Sequence, residues 1–194
     1  MSWWRRENVP KRYEVVLSFL ESENPAGLLE IGCGRGAFAL RLQEMGMRVF
    51  AVEINREFIR HSRNRDGGKE IGFMQGNAEM LPLKNESFDA VICIEVLMHV
   101  PNPHRLLSEI SRVLKWDGHA VISFLTKYTA DYFKKMIMVV SGFYAAKYGK
   151  NAFDYRYDTL NDFMGYVQGT NLIMKGTYNE EYGMPCLILR KTRA

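Results

Sequence analysis

The chain of 194 residues has little of what marks secreted, membrane-spanning or metal-clustered proteins. Its three cysteines, Cys33, Cys93 and Cys186, lie far apart and form no C-x-x-C pair, so they provide neither a disulfide framework nor a zinc cluster. Its longest aliphatic run, residues 136–140, is far shorter than the ~20 residues that span a bilayer, and its first residues lack the apolar stretch of a signal peptide. The formal net charge of +4 is too small by itself to indicate a nucleic-acid partner. These absences predict a cytoplasmic protein of one domain.

What the sequence does contain is a regular alternation of strand and helix patterns. We predict strands over 28–31, 48–54, 71–75, 88–94 and 119–124, with helices over 10–23, 37–45, 56–64 and 103–114. Such alternation favours a parallel sheet with helices on both faces. Two further helices, over 129–149 and 160–168, and two strands over 171–178 and 184–190 follow, the strands forming an antiparallel hairpin at the sheet edge. The predicted fold is α/β, a doubly wound, mostly parallel sheet of seven strands.

The strongest local signal is the run EIGCGRG at residues 30–36, directly after the first predicted strand. Alternate glycines let the chain turn sharply into a helix and let a ligand approach the backbone. Ligands of open α/β sheets bind beyond the carboxyl ends of the strands, where this run lies. A tight turn without a ligand is the alternative interpretation of an isolated G-x-G-x-G.

Two carboxylates flank this run and indicate which ligand it holds. Glu53 follows Gly32 by 21 residues at the end of the second strand, where a carboxylate can accept hydrogen bonds from both hydroxyls of a ribose. Gly32, Gly34 and Ala37 would also fit the G-x-G-x-x-A pattern of a dinucleotide site. Glu30, two residues before Gly32, disfavours a pyrophosphate but suits a ligand with a cationic amino group. S-adenosylmethionine has that group, a ribose and no phosphate.

With these residues the chain resembles the class I S-adenosylmethionine (SAM)-dependent methyltransferases, a family that includes many small-molecule and quinone-pathway enzymes. Four further segments match family motifs in order and spacing: GNAEMLPL at 76–83, SFDAV at 87–91, LMHV at 97–100 and LKWDGH at 114–119. The match covers roughly residues 26–124, about half of the chain. The resemblance implies a Rossmann-like fold, with SAM as the cofactor.

The resemblance also implies a set of cofactor-binding residues. They are Glu30, Gly32, Cys33, Gly34, Gly36, Glu53, Ile54, Asn77, Ala78 and Glu95. Ile54 matches the apolar residue that covers the adenine in the family. Asn77 stands where the family usually has an aspartate that accepts a hydrogen bond from the adenine amino group. An amide oxygen can still accept that bond, so we expect binding to survive with a loss of about 1 kcal/mol.

Two side chains after the fourth strand are candidate catalytic residues. His99 is the better candidate for a general base because its reference pKa is near neutral, the alternative being a capping or packing histidine. Glu95 is the second candidate, its alternative being a contact with the cofactor or the loop. Cys93 lies within the predicted strand and is interpreted as a small buried hydrophobe.

The chain is expected to divide into an N-terminal helical cap (1–25), a SAM-binding core (26–124), an aromatic-rich segment (125–158) and a C-terminal helix with the hairpin (159–194). Residues 128–166 hold 11 of the 24 aromatic residues. Two interpretations stay open for them: a lid over the methyl acceptor, or ordinary packing and a dimer contact.

The leading functional hypothesis is a methyltransferase acting on a small and partly apolar acceptor. No Asn/Asp-Pro-Pro-Tyr/Phe clamp is present at residues 95–98, where enzymes that methylate the exocyclic amine of adenine or a glutamine amide commonly carry one. The alternatives are an NAD-dependent oxidoreductase, a non-catalytic SAM-binding subunit of a larger complex, and an RNA methyltransferase. We expect no metal, no nucleic-acid partner and no membrane span, and leave a homodimer open.

Overall fold

The computed structural model of the protein describes residues 11–65, 68–124, 160–178 and 185–193. Its strands are β1 (Leu28–Ile31), β2 (Val49–Glu53), β3 (Gly72–Gln75), β4 (Phe88–Cys93), β5 (Leu114–Ser123), β6 (Leu172–Tyr178) and β7 (Cys186–Lys191). Its α-helices are α1 (Lys11–Glu23), α2 (Ala37–Glu44), α3 (Arg56–Arg63), α4 (Pro103–Val113) and α5 (Leu160–Val167). Two short 3-10 helices lie at Gly68–Glu70 and Leu97–His99.

The seven strands form one sheet in the order β3-β2-β1-β4-β5-β7-β6. The neighbours among β1 to β5 are parallel, whereas β7 is antiparallel to both β5 and β6. The strand order reverses between β1 and β4, which is the point at which ligands bind in such sheets. The predicted doubly wound, mostly parallel sheet with an antiparallel C-terminal pair is confirmed.

Apolar side chains cover both faces of the sheet because the central strands are buried on both sides. On one face, α4 and α5 pack residues such as Leu106, Ile110 and Phe163 against the sheet. On the other face, α1, α2 and α3 contribute Leu20, Phe38 and further buried residues. The helices therefore fix the sheet from two sides and leave its carboxyl edge to the connecting loops.

Strand β5 begins five residues earlier than the sequence predicts. Leu114 is fully buried and already pairs with Phe88, and the register then shifts before Ala90 pairs with His119. Asp117 has a φ of 66°, so the backbone is irregular within this stretch. The pattern around the irregularity is typical of a turn, which is why sequence reasoning placed the strand start at residue 119.

The predicted helix over 129–149 and the hairpin turn at 179–183 lie outside the described residues, as does the aromatic segment over 125–158. Within the described part of the chain, no helix combines the length and apolarity needed to cross a membrane.

Candidate cofactor site

The predicted cofactor residues lie on neighbouring loops at the carboxyl edge of the sheet. The glycine loop (Gly32–Gly36) follows β1, Glu53 ends β2, Asn77 follows β3 and Glu95 follows β4. Because β3, β2, β1 and β4 are consecutive in the sheet, their ends form one continuous row. The fold thus brings together residues that are up to 65 positions apart in the sequence.

Two of the three loop glycines are required by packing within the protein. All three have left-handed backbones, with φ of 72° at Gly32, 52° at Gly34 and 71° at Gly36. A Cβ on Gly32 would lie 2.2 Å from Cγ2 of Val96, and a Cβ on Gly36 would lie 2.8 Å from both Phe73 Cζ and Ser62 Oγ. Side chains at these two positions would therefore collide with the loop after β4 and with α3 and β3.

Gly34 differs from Gly32 and Gly36 because a Cβ there would meet no atom of the described residues within 4 Å. The open space in front of this residue is where a ligand can approach the backbone. The close approach of a ligand stays a prediction for Gly34, while Gly32 and Gly36 make the tight turn possible.

The carboxylate of Glu53 holds the glycine loop at its middle. Its Oε2 accepts a hydrogen bond from the backbone N–H of Gly34 at 2.9 Å, and its Oε1 accepts one from the N–H of Asn55 at 2.9 Å. A carboxylate offers about four lone-pair sites, so each oxygen retains one acceptor position. These free positions fit the two hydroxyls of a ribose lying on the open side of Gly34.

Glu30 is a buried carboxyl group with a strongly raised pKa at the end of β1. Its side chain is only 7% exposed, and its Oε2 is buried with no hydrogen-bond partner in the part of the chain that the structure describes. Burial raises its pKa from 4.5 to about 8; the backbone N–H of Ala39 opposes this shift, and the nearby charge of Glu53 adds to it. A neighbouring cation would stabilise the charged form of this carboxyl group and could donate a hydrogen bond to Oε2. The amino group of the expected cofactor is such a cation.

The residues assigned to the adenine lie next to these carboxylates. Ile54 is 65% exposed although it is a large apolar residue, so its side chain is available to cover a flat ring. Oδ1 of Asn77 accepts the N–H of Glu79 at 2.9 Å, which leaves this oxygen one further acceptor position. Ala78 is partly buried and packs against the core, so it holds the loop in place.

Glu95 occupies a strained position at the end of β4. It has a φ of 60°, a left-handed conformation that non-glycine residues seldom adopt, and its N–H donates to Oγ of Ser123 at 2.8 Å. The candidate base His99 ends the 3-10 helix at Leu97–His99, in which Leu97 and Met98 are buried and His99 is exposed.

The thiols near the site are not reactive nucleophiles. Burial, with the charges of Glu30 and Glu53, raises the pKa of Cys33, and burial raises the pKa of Cys93 to about 12. Cys93 is fully buried, as the sequence analysis expected of a small hydrophobe. Among the described residues, no group of histidine, cysteine and acidic side chains could hold a metal ion.

The sequence analysis did not identify the residues that pack against the glycine loop and hold the backbone of Glu95. The side chain of Val96 packs against Gly32, and that of Ser62 packs against Gly36. The buried hydroxyl of Ser123 accepts a hydrogen bond from the N–H of Glu95. One signal was available for Ser123, since a serine at the end of the apolar strand HAVIS needs a hydrogen-bond partner. The contacts of Val96 and Ser62 depend on tertiary packing and leave no local pattern.

The fold is that of an open α/β domain, and the predicted cofactor residues lie in one row at the carboxyl edge of its sheet. A family model described as "Methyltransferase domain" matches residues 29–122. The ubiquinone biosynthesis O-methyltransferase of Xanthomonas axonopodis is 31% identical in an alignment of 143 positions, which covers 71% of this chain and 57% of that protein. The enzyme of the same name from Rickettsia canadensis is 26% identical in an alignment of 151 positions, which covers 71% of this chain and 64% of that protein. The chain thus spans about three fifths of the length of these curated relatives.

Solved structures share the whole fold. A protein of Pyrococcus horikoshii has a TM-score of 0.74 at 17% identity, over 99% of this chain and 96% of that one. The magnesium protoporphyrin IX methyltransferase of Synechocystis, solved with S-adenosylhomocysteine bound, has a TM-score of 0.69 at 19% identity, over 94% of this chain and 83% of that one. The chain belongs to the class I SAM-dependent methyltransferases, and SAM is the cofactor of that family. The predicted family, fold and cofactor are confirmed.

Proposed function

We propose that the chain transfers a methyl group from SAM to a small, partly apolar acceptor. The observation that carries this proposal is the carboxylate of Glu53, which is fixed beside the open face of Gly34 with acceptor positions to spare. No pyrophosphate is needed to explain the site.

Each predicted residue has a role in this proposal. Glu53 accepts the ribose hydroxyls, and Glu30 faces the cationic amino group. Ile54 covers the adenine, while Asn77 accepts a hydrogen bond from its amino group. The glycine loop lets the cofactor lie against the backbone, and the buried side chain of Cys33 anchors the loop in the core.

SAM supplies a methyl group on a sulfonium, which is already a good leaving group. The protein therefore has to align the acceptor with the methyl group and exclude water. A base is needed only where the acceptor must lose a proton early. His99 and Glu95, both after β4, are the side chains we propose for that step.

The acceptor and the setting are further parts of the proposal. The curated relatives are named as O-methyltransferases of ubiquinone biosynthesis, so a hydroxyl-bearing acceptor of that kind is the first to test. The mild net charge supports a small molecule rather than a nucleic acid, and three buried free thiols suit a reducing cytoplasm. The acceptor lid at 125–158 and the homodimer stay predictions.

Calorimetry on the full chain with SAM, S-adenosylhomocysteine and NAD tests the cofactor site. We expect Glu53→Ala to weaken SAM binding about 100-fold, since it removes two charge-assisted hydrogen bonds of about 1.5 kcal/mol each. Glu57→Ala, which changes an exposed carboxylate on α3, is the matched control and should bind like the wild type. Tight binding of NAD in place of SAM, or a Glu53→Ala variant that is folded and binds SAM normally, would overturn the assignment.

Methyl transfer itself is tested with labelled SAM over a panel of metabolites. His99→Ala should still bind SAM, so a loss of transfer in this variant reports proton removal. Unchanged transfer excludes His99 as the base. A chain that binds SAM but methylates nothing, and that forms a stable complex with another protein, would instead support the non-catalytic subunit.

A further inference from the structure

The β3–β4 loop (residues 76–87), which carries Asn77 and Ala78, is bound to α4 at both ends of that helix. At the helix start, Oε1 of Glu79 accepts the N–H of Asn102 at 2.5 Å. At the last turn, Oε2 of Glu109 accepts the N–H of Leu81 at 2.6 Å. The loop is therefore attached to the helix twice, through the side chain of Glu79 and through the backbone of Leu81.

Arg112, one turn after Glu109, completes this attachment. Its Nη1 donates to the carbonyl of Leu83 at 2.8 Å and to Oδ1 of Asn85 at 2.7 Å, and its Nη2 donates to the carbonyl of Leu81 at 3.1 Å. Its Nε and Nη2 donate to the two oxygens of Glu109, both at 2.7 Å. All five N–H donors of the guanidinium are thus used, two on the partner carboxylate and three on the loop.

The pair is well placed to hold the loop rigidly. The side chains of Glu109 and Arg112 are only 18% and 29% exposed, so solvent screens their interaction less than that of a surface ion pair. The hydrogen bond from Arg112 lowers the pKa of Glu109, as expected for a carboxylate stabilised in its charged form. Leu81, whose N–H and carbonyl are both held by the pair, is itself buried in the core.

The held residue lies directly after the turn that carries the adenine contacts. The N–H of Met80 donates to the carbonyl of Asn77 at 3.0 Å, and the N–H of Glu79 donates to the Asn77 side chain. This closes a compact turn over residues 77–80, and Leu81 is the next residue along the chain. Because the N–H and the carbonyl of Leu81 are both hydrogen-bonded, the end of the turn has a fixed position. The direction of the Asn77 side-chain oxygen is fixed with it.

We propose that Glu109 and Arg112 are positioning residues that set the adenine selectivity of the site, acting through Leu81 without touching the cofactor. The inference rests on the proposed function, since it takes the β3–β4 loop as the adenine-binding part. Releasing the loop should lower the enzyme's ability to distinguish the 6-amino group of adenine from other groups. It should do so without changing the ribose contact at Glu53.

The test compares the affinity for S-adenosylhomocysteine with that for S-inosylhomocysteine, which has an oxygen in place of the 6-amino group. We expect the wild type to prefer the adenine compound about tenfold, the effect of one hydrogen bond. Arg112→Gln should reduce this preference to about twofold or less while ligand binding persists. Arg60→Gln is the matched control, because Arg60 forms the same i,i+3 pair with Glu57 on α3, with side chains 72% and 66% exposed and no contact to the β3–β4 loop.

A purely structural role would weaken both compounds by the same factor and leave their ratio unchanged, and that result would overturn the inference. A wild type that binds both compounds equally would also overturn it. Should Arg112→Gln fail to fold, Glu109→Gln takes its place, since its amide oxygen can still accept the N–H of Leu81 but no longer offers Arg112 a charge. Arg112→Lys should give an intermediate ratio, because one ammonium cannot reach all of these acceptors.

The proposed function and this inference fail in different ways. If S-adenosylhomocysteine does not bind the wild type, or binds the Glu53→Ala variant as tightly, the cofactor site is wrong and the inference fails with it. If Glu53→Ala loses binding while Arg112→Gln keeps the full preference for adenine, only the inference is overturned.

Discussion

The glycine loop and the β3–β4 loop lie at the same edge of the sheet but are held by different forces. The glycine loop is fixed by close packing, with Gly32 against Val96 and Gly36 against Ser62 and Phe73. The β3–β4 loop is fixed by hydrogen bonds from Glu109 and Arg112. The first depends on the absence of side chains, and the second on two long side chains that reach across from a helix.

The two loops also shift the pKa of a nearby carboxyl group in opposite directions. Glu30, beneath the glycine loop, is buried with an unpaired oxygen, and burial raises its pKa. Glu109, beside the β3–β4 loop, is paired with an arginine, which lowers its pKa. The carboxyl group of Glu30 can therefore be stabilised in its charged form by a cationic ligand. The carboxylate of Glu109 is already stabilised by Arg112 within the protein.

The largest effect is expected from breaking the packed region with Gly32→Ala. Its Cβ would lie 2.2 Å from Val96, at a position with φ of 72°, so overpacking and backbone strain together should cost about 3–5 kcal/mol of unfolding free energy. Gly46→Ala is the control, since Gly46 has a φ of 85° but open space around it, and should cost about 1–2 kcal/mol. Urea unfolding measures both.

A second variant separates the collision from the strain. Val96→Ala removes the two methyl groups that a Cβ on Gly32 would meet, and the nearest remaining atom would then be Cβ of Val96, at 3.4 Å. The double variant should therefore be less destabilised than the sum of the single variants by about 1 kcal/mol or more. Additive costs would contradict the contact between these two loops.

This contrast explains how much of the site the sequence could reveal. The glycines, Glu30 and Glu53 sit at fixed spacings around strand ends, so pattern alone located them. The contact of Arg112 with Leu81 joins residues 31 positions apart, and that of Gly32 with Val96 joins residues 64 apart. Neither leaves a local signature. The mostly parallel sheet, by contrast, was predictable from the alternation of strands and helices.

The pH dependence of the free energy of unfolding should distinguish the carboxyl groups of the two loops. Between about pH 4.5 and about pH 8, folded Glu30 keeps a proton that the unfolded chain has released. Its contribution to the free energy of unfolding is therefore full at low pH and lost as the pH rises, by up to about 1.4 kcal/mol per pH unit. Glu30→Gln removes this loss, so its stability relative to the wild type should increase from pH 5 to about pH 8.

Glu109→Gln is the counterpart with the opposite sign. Because the folded pKa of Glu109 is lowered, its contribution is present above the ordinary glutamate value and lost as the pH falls through the folded pKa. The difference between this variant and the wild type should therefore shrink on the acid side, below about pH 4.5. Urea midpoints over the pH range measure both variants, and parallel curves for the two would contradict the distinction between the loops.

The smallest expected effect comes from restoring the family's usual aspartate with Asn77→Asp. In Asn77 the single acceptor oxygen already takes the N–H of Glu79, and the other terminal atom is an amide nitrogen that donates. An aspartate would keep the bond to Glu79 and offer the adenine amino group a second, charged oxygen. SAM affinity should rise about three- to fivefold, close to 1 kcal/mol and somewhat reduced by repulsion from Glu79. Calorimetry measures this, with Asn64→Asp on the exposed end of α3 as the control for added charge. A gain of equal size in Asn64→Asp would assign the effect to long-range attraction of the cationic cofactor instead of the adenine contact.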